Sequence, residues 1–153
     1  MSSSNDTSTP LTSAPTVVTG VVGDDIHVIG IRVLEHALRG AGFKVAALGA
    51  QALPEEFIRA AIETAACAIF VSSLSGHAEL FLRDFRAKCD EAGLQGVLLY
   101  VGGFLGVGRQ NWEEVEQKFK GYGFDRVYPP KTAPEQAIAD LQADLNRQVA
   151  AAR

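Results

Sequence analysis

The sequence predicts an α/β protein with a doubly wound, flavodoxin-like or Rossmann-like sheet of five parallel strands, in the order 2-1-3-4-5, with helices on both faces. Short apolar runs alternate five times with segments of helical period, which is the pattern of consecutive βα units. The apolar runs are continuous, as expected for strands that are buried on both faces. The chain has 153 residues, which leaves no room for the eight βα units of a barrel.

The predicted strands are short and rich in β-branched and other apolar residues. TVVTGVV is the first of them, and CAIFVS and GVLLYVG carry the same signature further along the chain. Side chains of this kind pack well on a pleated, buried surface. The five predicted strands cover residues 16–22, 44–49, 67–72, 96–102 and 125–129.

Each predicted helix has apolar residues spaced three and four positions apart. The first begins at Gly30 and ends at Gly40 or Gly42, and the second has Pro54 in its first turn, where proline is well tolerated. The five predicted helices cover residues 30–42, 54–65, 78–93, 111–123 and 134–149. Their predicted apolar faces include Val33, Leu34, Ala37 and Leu38 in the first helix, Phe57, Ile58, Ala61 and Ile62 in the second, and Ile138, Leu141 and Leu145 in the last.

Composition excludes several classes of function. The net charge of −4 argues against the positively charged surface that a nucleic-acid-binding protein requires. No apolar run reaches the roughly 18–20 residues of a membrane span. Residues 1–15 are rich in Ser, Thr and Pro, and we expect a disordered tail there, without the features of a signal peptide, ahead of one domain over residues 16–153. Cys67 and Cys89 belong to no CxxC motif, so we expect reduced thiols in a cytoplasmic protein.

Three loops at one edge of the predicted sheet carry the unusual residues. GDDIHVIG follows strand 1, SSLSGH follows strand 3, and GGFLGVG follows strand 4. In a sheet of this order, ligands bind outside the carboxyl ends of the strands, at the switch point between strands 1 and 3. The sequence therefore predicts a binding site at this edge.

His27 is the candidate metal ligand of the first loop. Asp25 lies two residues before it, so both side chains point to the same side of an extended segment, and the carboxylate can hold one ring nitrogen while the other binds a metal. No second His or Cys stands at zinc-ligand spacing, whereas a metal held in a macrocycle needs only one protein ligand. The alternative interpretation is an ordinary surface or helix-start histidine.

Small residues at the ends of strands 3 and 4 predict a slot beside the sheet. Ser72 and Ser73 end strand 3, and Gly102 and Gly103 end strand 4, so little side-chain volume stands between the two loops. A flat organic group can enter such a slot. The alternatives are a serine at an ordinary strand end and glycines that serve only a turn. GGFLGVG does not match the GxGxxG dinucleotide motif.

Three motifs at these loops are D-x-H-x-x-G at Asp25, His27 and Gly30, S-x-L at Ser72 and Leu74, and the pair Gly102–Gly103. Together they resemble the cobalamin-binding signature of B12-dependent mutases and methyltransferases. Longer segments, from about residue 18 to about residue 145, are similar to the family of the small (S) subunit of glutamate mutase, also called methylaspartate mutase. They include LEHALRGAGF, AAIETAACAIFVSSL, KCDEAGLQGVLLYVGG and YGFDRVYPPKTAPE.

The resemblance implies that the chain binds adenosylcobalamin, with the dimethylbenzimidazole tail displaced from cobalt and His27 as the lower axial ligand. It implies that Asp25 accepts a hydrogen bond from the other imidazole nitrogen, and that the nucleotide tail lies in the slot. It assigns no catalytic residue to this chain. The implied cofactor-binding residues are Asp24, Asp25, Ile26, His27, Val28, Gly30, Ser72, Ser73, Leu74, Gly102, Gly103, Phe104, Leu105, Gly106, Val107 and Gly108.

The resemblance also implies a role and a partner. The family's reaction is the isomerisation of L-glutamate to threo-3-methylaspartate, a carbon-skeleton rearrangement. It implies a larger, barrel-type catalytic subunit that holds the substrate, a heterotetramer of two small and two large chains, and no activity of the small chain alone. Neither a nucleic acid nor a membrane is an expected partner.

Three other functions share this fold. A receiver domain requires a phosphoacceptor aspartate at the end of strand 3, where this chain has Ser72 and Ser73, although Lys131 after strand 5 fits. A corrinoid protein of a methyltransferase system typically has a helical cap before the B12 domain, where this sequence has a short polar stretch. A free-standing cobalamin carrier or sensor stays open as a third alternative.

Overall fold

The predicted sheet is confirmed: five parallel strands lie in the order β2-β1-β3-β4-β5. The structure is a computed structural model that describes residues 14–23, 29–73, 78–103, 105 and 111–152. The boundary predicted between a tail and a domain at residue 15 is not tested by it, because residues 1–13 lie outside the described residues. The strands are β1 (Thr16–Val21), β2 (Lys44–Ala47), β3 (Ala68–Ser73), β4 (Leu98–Gly103) and β5 (Arg126–Tyr128).

The helices follow the strands as predicted, with defined starts. The second begins at Pro54, and the side chain of Glu56 accepts a hydrogen bond from the backbone N–H of Leu53 at 2.8 Å. Asn111 caps another by accepting from the N–H of Glu113 at 2.7 Å. The helices are α1 (Ile29–Gly40), α2 (Pro54–Thr64), α3 (Ala78–Leu82), α4 (Phe85–Glu91), α5 (Trp112–Gly121) and α6 (Pro134–Ala151).

The prediction of one helix over residues 78–93 is wrong. The backbone leaves the helical conformation at Asp84 (φ −103°, ψ 6°), and α3 and α4 are separate helices. Aspartate is a poor residue for a helix interior and a favourable one at a helix start. Leu82 and Phe85, on either side of the break, are both fully buried.

Each face of the sheet has its own core. On one face, Ile69 and Leu99 pack against α2, α3, α4 and α5. On the other face, Phe70 and Tyr100 pack against α1 and α6, with their ring centroids 4.7 Å apart and their planes nearly perpendicular. The second core lies directly below the carboxyl end of the sheet on the α1 and α6 side.

Two predicted core residues are exposed. Val33 has 53% of its surface exposed and Ile62 has 54%. In α1 the buried positions are Ile31, Glu35 and Leu38, which lie on one face of the helix, and the Glu35 carboxylate accepts a hydrogen bond of 2.6 Å from the Thr19 hydroxyl in β1. Val33 lies on the other side of the helix and faces outward.

Cys67 and Cys89 are free thiols, as predicted. Cys89 is fully buried in the core between α4 and the sheet. Burial raises the pKa of the Cys89 thiol to about 11. The two cysteines therefore have the properties of packing residues.

Candidate functional site

The carboxyl ends of β1, β3 and β4 lie side by side, as the strand order requires. In the parallel register Val21 pairs with Ser72, and Ser72 pairs with Gly102. One position further along, Ser73 pairs with Gly103. The serines and glycines identified from the sequence therefore occupy neighbouring strand ends at the switch point of the sheet.

A cavity of about 280 Å³ opens beside these strand ends, on the face of the sheet that carries α1 and α6. Its lining is mostly apolar, with the Ser72 hydroxyl on one wall. Gly102 keeps it open, because a Cβ there would lie 3.3 Å from the Cβ of Tyr128. The lining comprises Gly30, Ile31 and Leu34 of α1, Phe70, Val71 and Ser72 of β3, Gly102 and Gly103 of β4, and Tyr128 to Pro134 with Ala137 beyond it.

The pleat of β3 places its two terminal serines on opposite faces. Ser72 is half-buried and lines the cavity, whereas Ser73 is fully buried and does not. Within the described part of the chain, the Ser73 hydroxyl has no hydrogen-bond partner. Leu105 is also buried, in the core on the far face. Of the described candidates, Gly30, Ser72, Gly102 and Gly103 thus come together at the cavity, and Ser73 and Leu105 do not.

Tyr128 forms the wall of the cavity at β5. Its hydroxyl donates a hydrogen bond of 2.7 Å to Asp140 in α6, and its ring meets that of Tyr100 edge-on at 6.2 Å. Burial, and then the bond to Asp140, raise the pKa of Tyr128 well above its ordinary value. The phenol therefore stays protonated and acts as a fixed donor that holds the ring against the cavity.

Arg126 joins the same wall to α6 through charge. Its guanidinium donates two hydrogen bonds of 2.9 Å to the carboxylate of Asp144 and lies 3.5 Å from Asp140. The buried Tyr100 hydroxyl also donates to Asp144. These bonds, the pair with Arg126 first, lower the pKa of Asp144 to about 2. The network fixes α6 relative to β4 and β5 and so fixes the far side of the cavity.

The remaining candidates lie outside the described residues. They are Asp24, Asp25, Ile26, His27 and Val28 after β1, Leu74 after β3, and Phe104, Gly106, Val107 and Gly108 after β4. The described chain stops before these segments at Gly23, Ser73 and Gly103, which all lie at the carboxyl edge of the sheet. The backbone N–H of Val22 donates to the carbonyl of Ser72 at 3.1 Å, which joins the first two ends directly.

Sequence reasoning missed the segment from Tyr128 to Pro134, which forms much of the cavity. The signal available was YPPKTAP, with one proline at the end of the fifth predicted strand and two after it, at the same edge as the other loops. Strand β5 is at the edge of the sheet, and both the connection that follows it and helix α1 line the cavity. The cavity is the space that these two elements enclose with the ends of β3 and β4.

The described residues contain neither a membrane-spanning helix nor a cluster of metal ligands. None of the described helices is long and apolar enough to cross a membrane. The same part of the chain holds no group of three or more His, Cys, Asp or Glu side chains arranged to bind a metal ion.

Comparison with known proteins gives a family match. The pattern of the B12 binding domain family matches residues 15–139. Two curated proteins named glutamate mutase sigma subunit are close in sequence. The protein from Clostridium cochlearium is 54% identical over 131 residues, which cover 86% of this chain and 96% of the relative. That from Carboxydothermus hydrogenoformans is 57% identical over 129 residues, covering 84% and 94%.

Solved structures share the fold. A cobalamin-binding protein from Desulfitobacterium hafniense has a TM-score of 0.70 at 20% identity, over 86% of this chain and 59% of that one. The monomethylamine corrinoid protein of Methanosarcina barkeri has a TM-score of 0.66 at 25% identity, over 84% and 57%. This chain therefore spans less than three fifths of each of those two proteins. The response regulator RcsB of Salmonella typhimurium, at 14% identity and a TM-score of 0.57, is similar in fold alone.

Proposed function

Because this chain belongs to the B12 binding domain family and, within it, to the glutamate mutase sigma subunits, we propose that it is the cobalamin-binding small subunit of an adenosylcobalamin-dependent carbon-skeleton mutase. The reaction proposed is the isomerisation of L-glutamate to threo-3-methylaspartate. One observation carries the proposal: an identity of 54% extends over 96% of the length of a named sigma subunit. The same observation favours the mutase over a corrinoid methyl-transfer protein, for which the identity is 25% over 57% of the relative.

The cavity beside β3 and β4 fits the nucleotide tail of cobalamin. Its volume of about 280 Å³ lies just below the range of small-molecule sites, which are roughly 300–1,000 Å³, so it suits a part of a large cofactor. The apolar lining suits the flat dimethylbenzimidazole ring, and Ser72 places one hydroxyl in that wall. Gly102 is required because any side chain there would take up space between Tyr128 and the ring.

The family resemblance supports a cobalt ligand in this chain's first loop. We propose that His27 would supply the imidazole nitrogen that binds cobalt and that Asp25 would orient this imidazole, as carboxylates commonly do for metal-bound histidines. When bound, adenosylcobalamin supplies radical chemistry through cleavage of its cobalt–carbon bond. This chain's residues bind the tail, orient the ligand nitrogen and exclude water from the slot.

The relatives' name, sigma subunit, supports a partner subunit. The described cavity of about 280 Å³ suits the nucleotide tail, and we propose that the substrate binds to the partner. We propose that the partner is a larger, barrel-type catalytic chain, that two small and two large chains assemble in the cytoplasm, and that the small chain alone is inactive.

Reconstitution tests the proposal. The purified chain is mixed with adenosylcobalamin and a glutamate mutase large subunit, and methylaspartate formation from L-glutamate is measured. We expect turnover only when all three are present. Turnover by this chain with cofactor alone would refute the subunit role, and cobalamin binding without turnover in any mixture would favour a carrier.

A further inference from the structure

The cavity beside β3 and β4 has one charged residue in its lining. Of the sixteen residues around it, Lys131 alone carries a formal charge, and the others are glycines, prolines, apolar or uncharged polar residues. Lys131 is exposed at the rim, in the connection between β5 and α6. An ammonium group at the edge of an apolar cavity attracts an anionic part of a ligand more strongly than one surrounded by water.

The connection that carries Lys131 is held in place. Pro129 and Pro130 precede it, the Thr132 hydroxyl donates a hydrogen bond of 2.8 Å to the Pro129 carbonyl, and α6 begins at Pro134. Proline fixes its own φ, so this turn has few alternative conformations. The backbone position of the lysine at the rim is therefore set before any ligand arrives, which lowers the entropy cost of binding.

No charged side chain of the described residues neutralises Lys131. Among the described residues it forms no ion pair. Asp140, behind the Tyr128 wall, is already bonded to the Tyr128 hydroxyl and lies 3.5 Å from Arg126. Glu135 is exposed in the first turn of α6, where it faces the partial positive charge of the helix end. The ammonium group is thus available to a ligand.

Resting on the proposed function, we propose that Lys131 binds the phosphodiester of the cobalamin nucleotide tail. The phosphodiester carries the only negative charge of that tail, and it lies next to the ribose and ring that the cavity accommodates. The ion pair between Lys131 and the phosphodiester would form at the rim, where water partly screens it. It therefore adds little affinity, and its main effect is to favour a cobalamin with a complete nucleotide tail.

The backbone at Lys131 provides a clean control. Its φ is +70°, a left-handed conformation that costs a residue with a side chain free energy and costs glycine none. Lys131→Gly therefore removes the charge and also the strain of the left-handed backbone. Lys131→Met removes the charge but keeps a long side chain and the strain. Lys131→Arg keeps the charge. Lys44, exposed at the opposite end of the sheet at the start of β2, gives Lys44→Met as the matched control.

The experiment measures the dissociation constants of adenosylcobalamin and of adenosylcobinamide, which lacks the nucleotide tail, at low and high ionic strength. We expect Lys131→Met and Lys131→Gly to bind adenosylcobalamin about fivefold more weakly at low salt, with the difference shrinking at high salt. Lys131→Arg and Lys44→Met should bind as the wild type does, and adenosylcobinamide should bind all five proteins equally.

Three results would overturn the assignment. They are an unchanged adenosylcobalamin affinity in Lys131→Met at low salt, an equal loss for adenosylcobinamide, and wild-type affinity in Lys131→Gly. The last would show that the backbone, and not the charge, matters at this position. Failure of the wild-type protein to bind adenosylcobalamin at all would instead refute the proposed function.

Discussion

The ring of Phe81 in α3 lies against Gly23, so closely that a Cβ at position 23 would come within 2.3 Å of the ring carbon Cε2. Gly23 has a φ of +76°, and its N–H donates to the carbonyl of Ala52 at 2.8 Å. It is the last described residue before the loop of residues 24–28, so contacts from helix α3 and from the connection between β2 and α2 set the point at which that loop leaves the sheet.

Gly23→Ala should therefore weaken both the fold and cobalamin binding. Strain in the left-handed region and the clash with Phe81 together should lower the free energy of unfolding by about 2–4 kcal/mol. Gly42→Ala is the matched control, because Gly42 has a φ of +96° and a Cβ added there would meet nothing within 4 Å. It should lose only about 1–2 kcal/mol, the cost of the backbone alone. Urea denaturation of both variants measures the difference.

Equal losses in the two variants would mean that Phe81 moves aside without cost. The double variant Gly23→Ala with Phe81→Ala provides a further check, because it removes the clash and keeps the strain. Cobalamin titration of the variants that stay folded then shows whether the start of the loop matters for binding.

Gly102→Val should reduce cobalamin affinity by about tenfold or more while the protein stays folded. The new side chain would contact Tyr128 and enter the cavity that the nucleotide tail is proposed to occupy. Gly96→Val is the control, since Gly96 lies in an exposed turn with nothing within 4 Å. Undiminished binding by a folded Gly102→Val protein, measured by equilibrium titration, would place the tail elsewhere.

Most element bounds could be predicted from the sequence because each βα unit has its own local signals, and the strand order could be predicted because five such units favour a flavodoxin-like sheet. Continuous apolar runs such as CAIFVS require burial on both faces, and proline or asparagine at a helix start acts within one turn. The break at Asp84 and the outward direction of Val33 could not be predicted, because both depend on contacts between elements. A hydrogen bond across sixteen residues, from Thr19 to Glu35, has no local signature.

Some residues of the candidate site could likewise be identified from the sequence, and others could not. Ser72 and Gly102 could be identified because small residues at the ends of adjacent strands follow from the strand order alone. Tyr128 could not, because its place in the wall depends on the bond to Asp140, twelve residues away in α6. The assignment of His27 and Asp25 rests on the family resemblance and stays a prediction.

Asp144→Asn should destabilise the protein near neutral pH and much less in acid. The guanidinium of Arg126 and the Tyr100 hydroxyl hold the pKa of the buried Asp144 at about 2, below the ordinary 3.8. A depressed pKa gives stability that is fully present above pH about 4 and is lost as the pH falls toward 2. The variant should therefore lose about 2 kcal/mol near pH 7, with the difference shrinking in that acidic window. A pH-independent difference in urea denaturation would contradict this.

Thr19→Val should cost about 1–3 kcal/mol of stability, because it removes the hydrogen bond to the buried Glu35 carboxylate without changing the side-chain shape. Thr64→Val is the matched control. Its hydroxyl also donates a hydrogen bond of 2.8 Å, to the Ala60 carbonyl, but at an exposed position where water can replace it. The control should change stability by less than about 1 kcal/mol. Equal losses of stability in the two variants, measured by thermal or urea unfolding, would mean that the burial of Glu35 does not make its hydrogen bond more stabilising than an exposed one.

The first turn of α1 should be the part of the described fold that cobalamin stabilises most. Gly30, Ile31 and Leu34 line the cavity, so one side of this turn faces the space proposed for the tail. Glycine costs a helix about 1 kcal/mol and β-branched residues cost a few tenths each, so this turn depends on packing for its stability.

Amide hydrogen exchange measures this stability residue by residue. Without cofactor, the amides of residues 33–35 should exchange at least about tenfold faster than those of Ile69 and Val71 in the central strand β3. With saturating adenosylcobalamin the gap should close, because opening of the turn would then require loss of the ligand's contacts. Helix α4, which does not line the cavity, should keep its rates relative to β3. Protection of α1 equal to that of β3 before any cofactor is added would show that the helix needs no ligand to complete its packing.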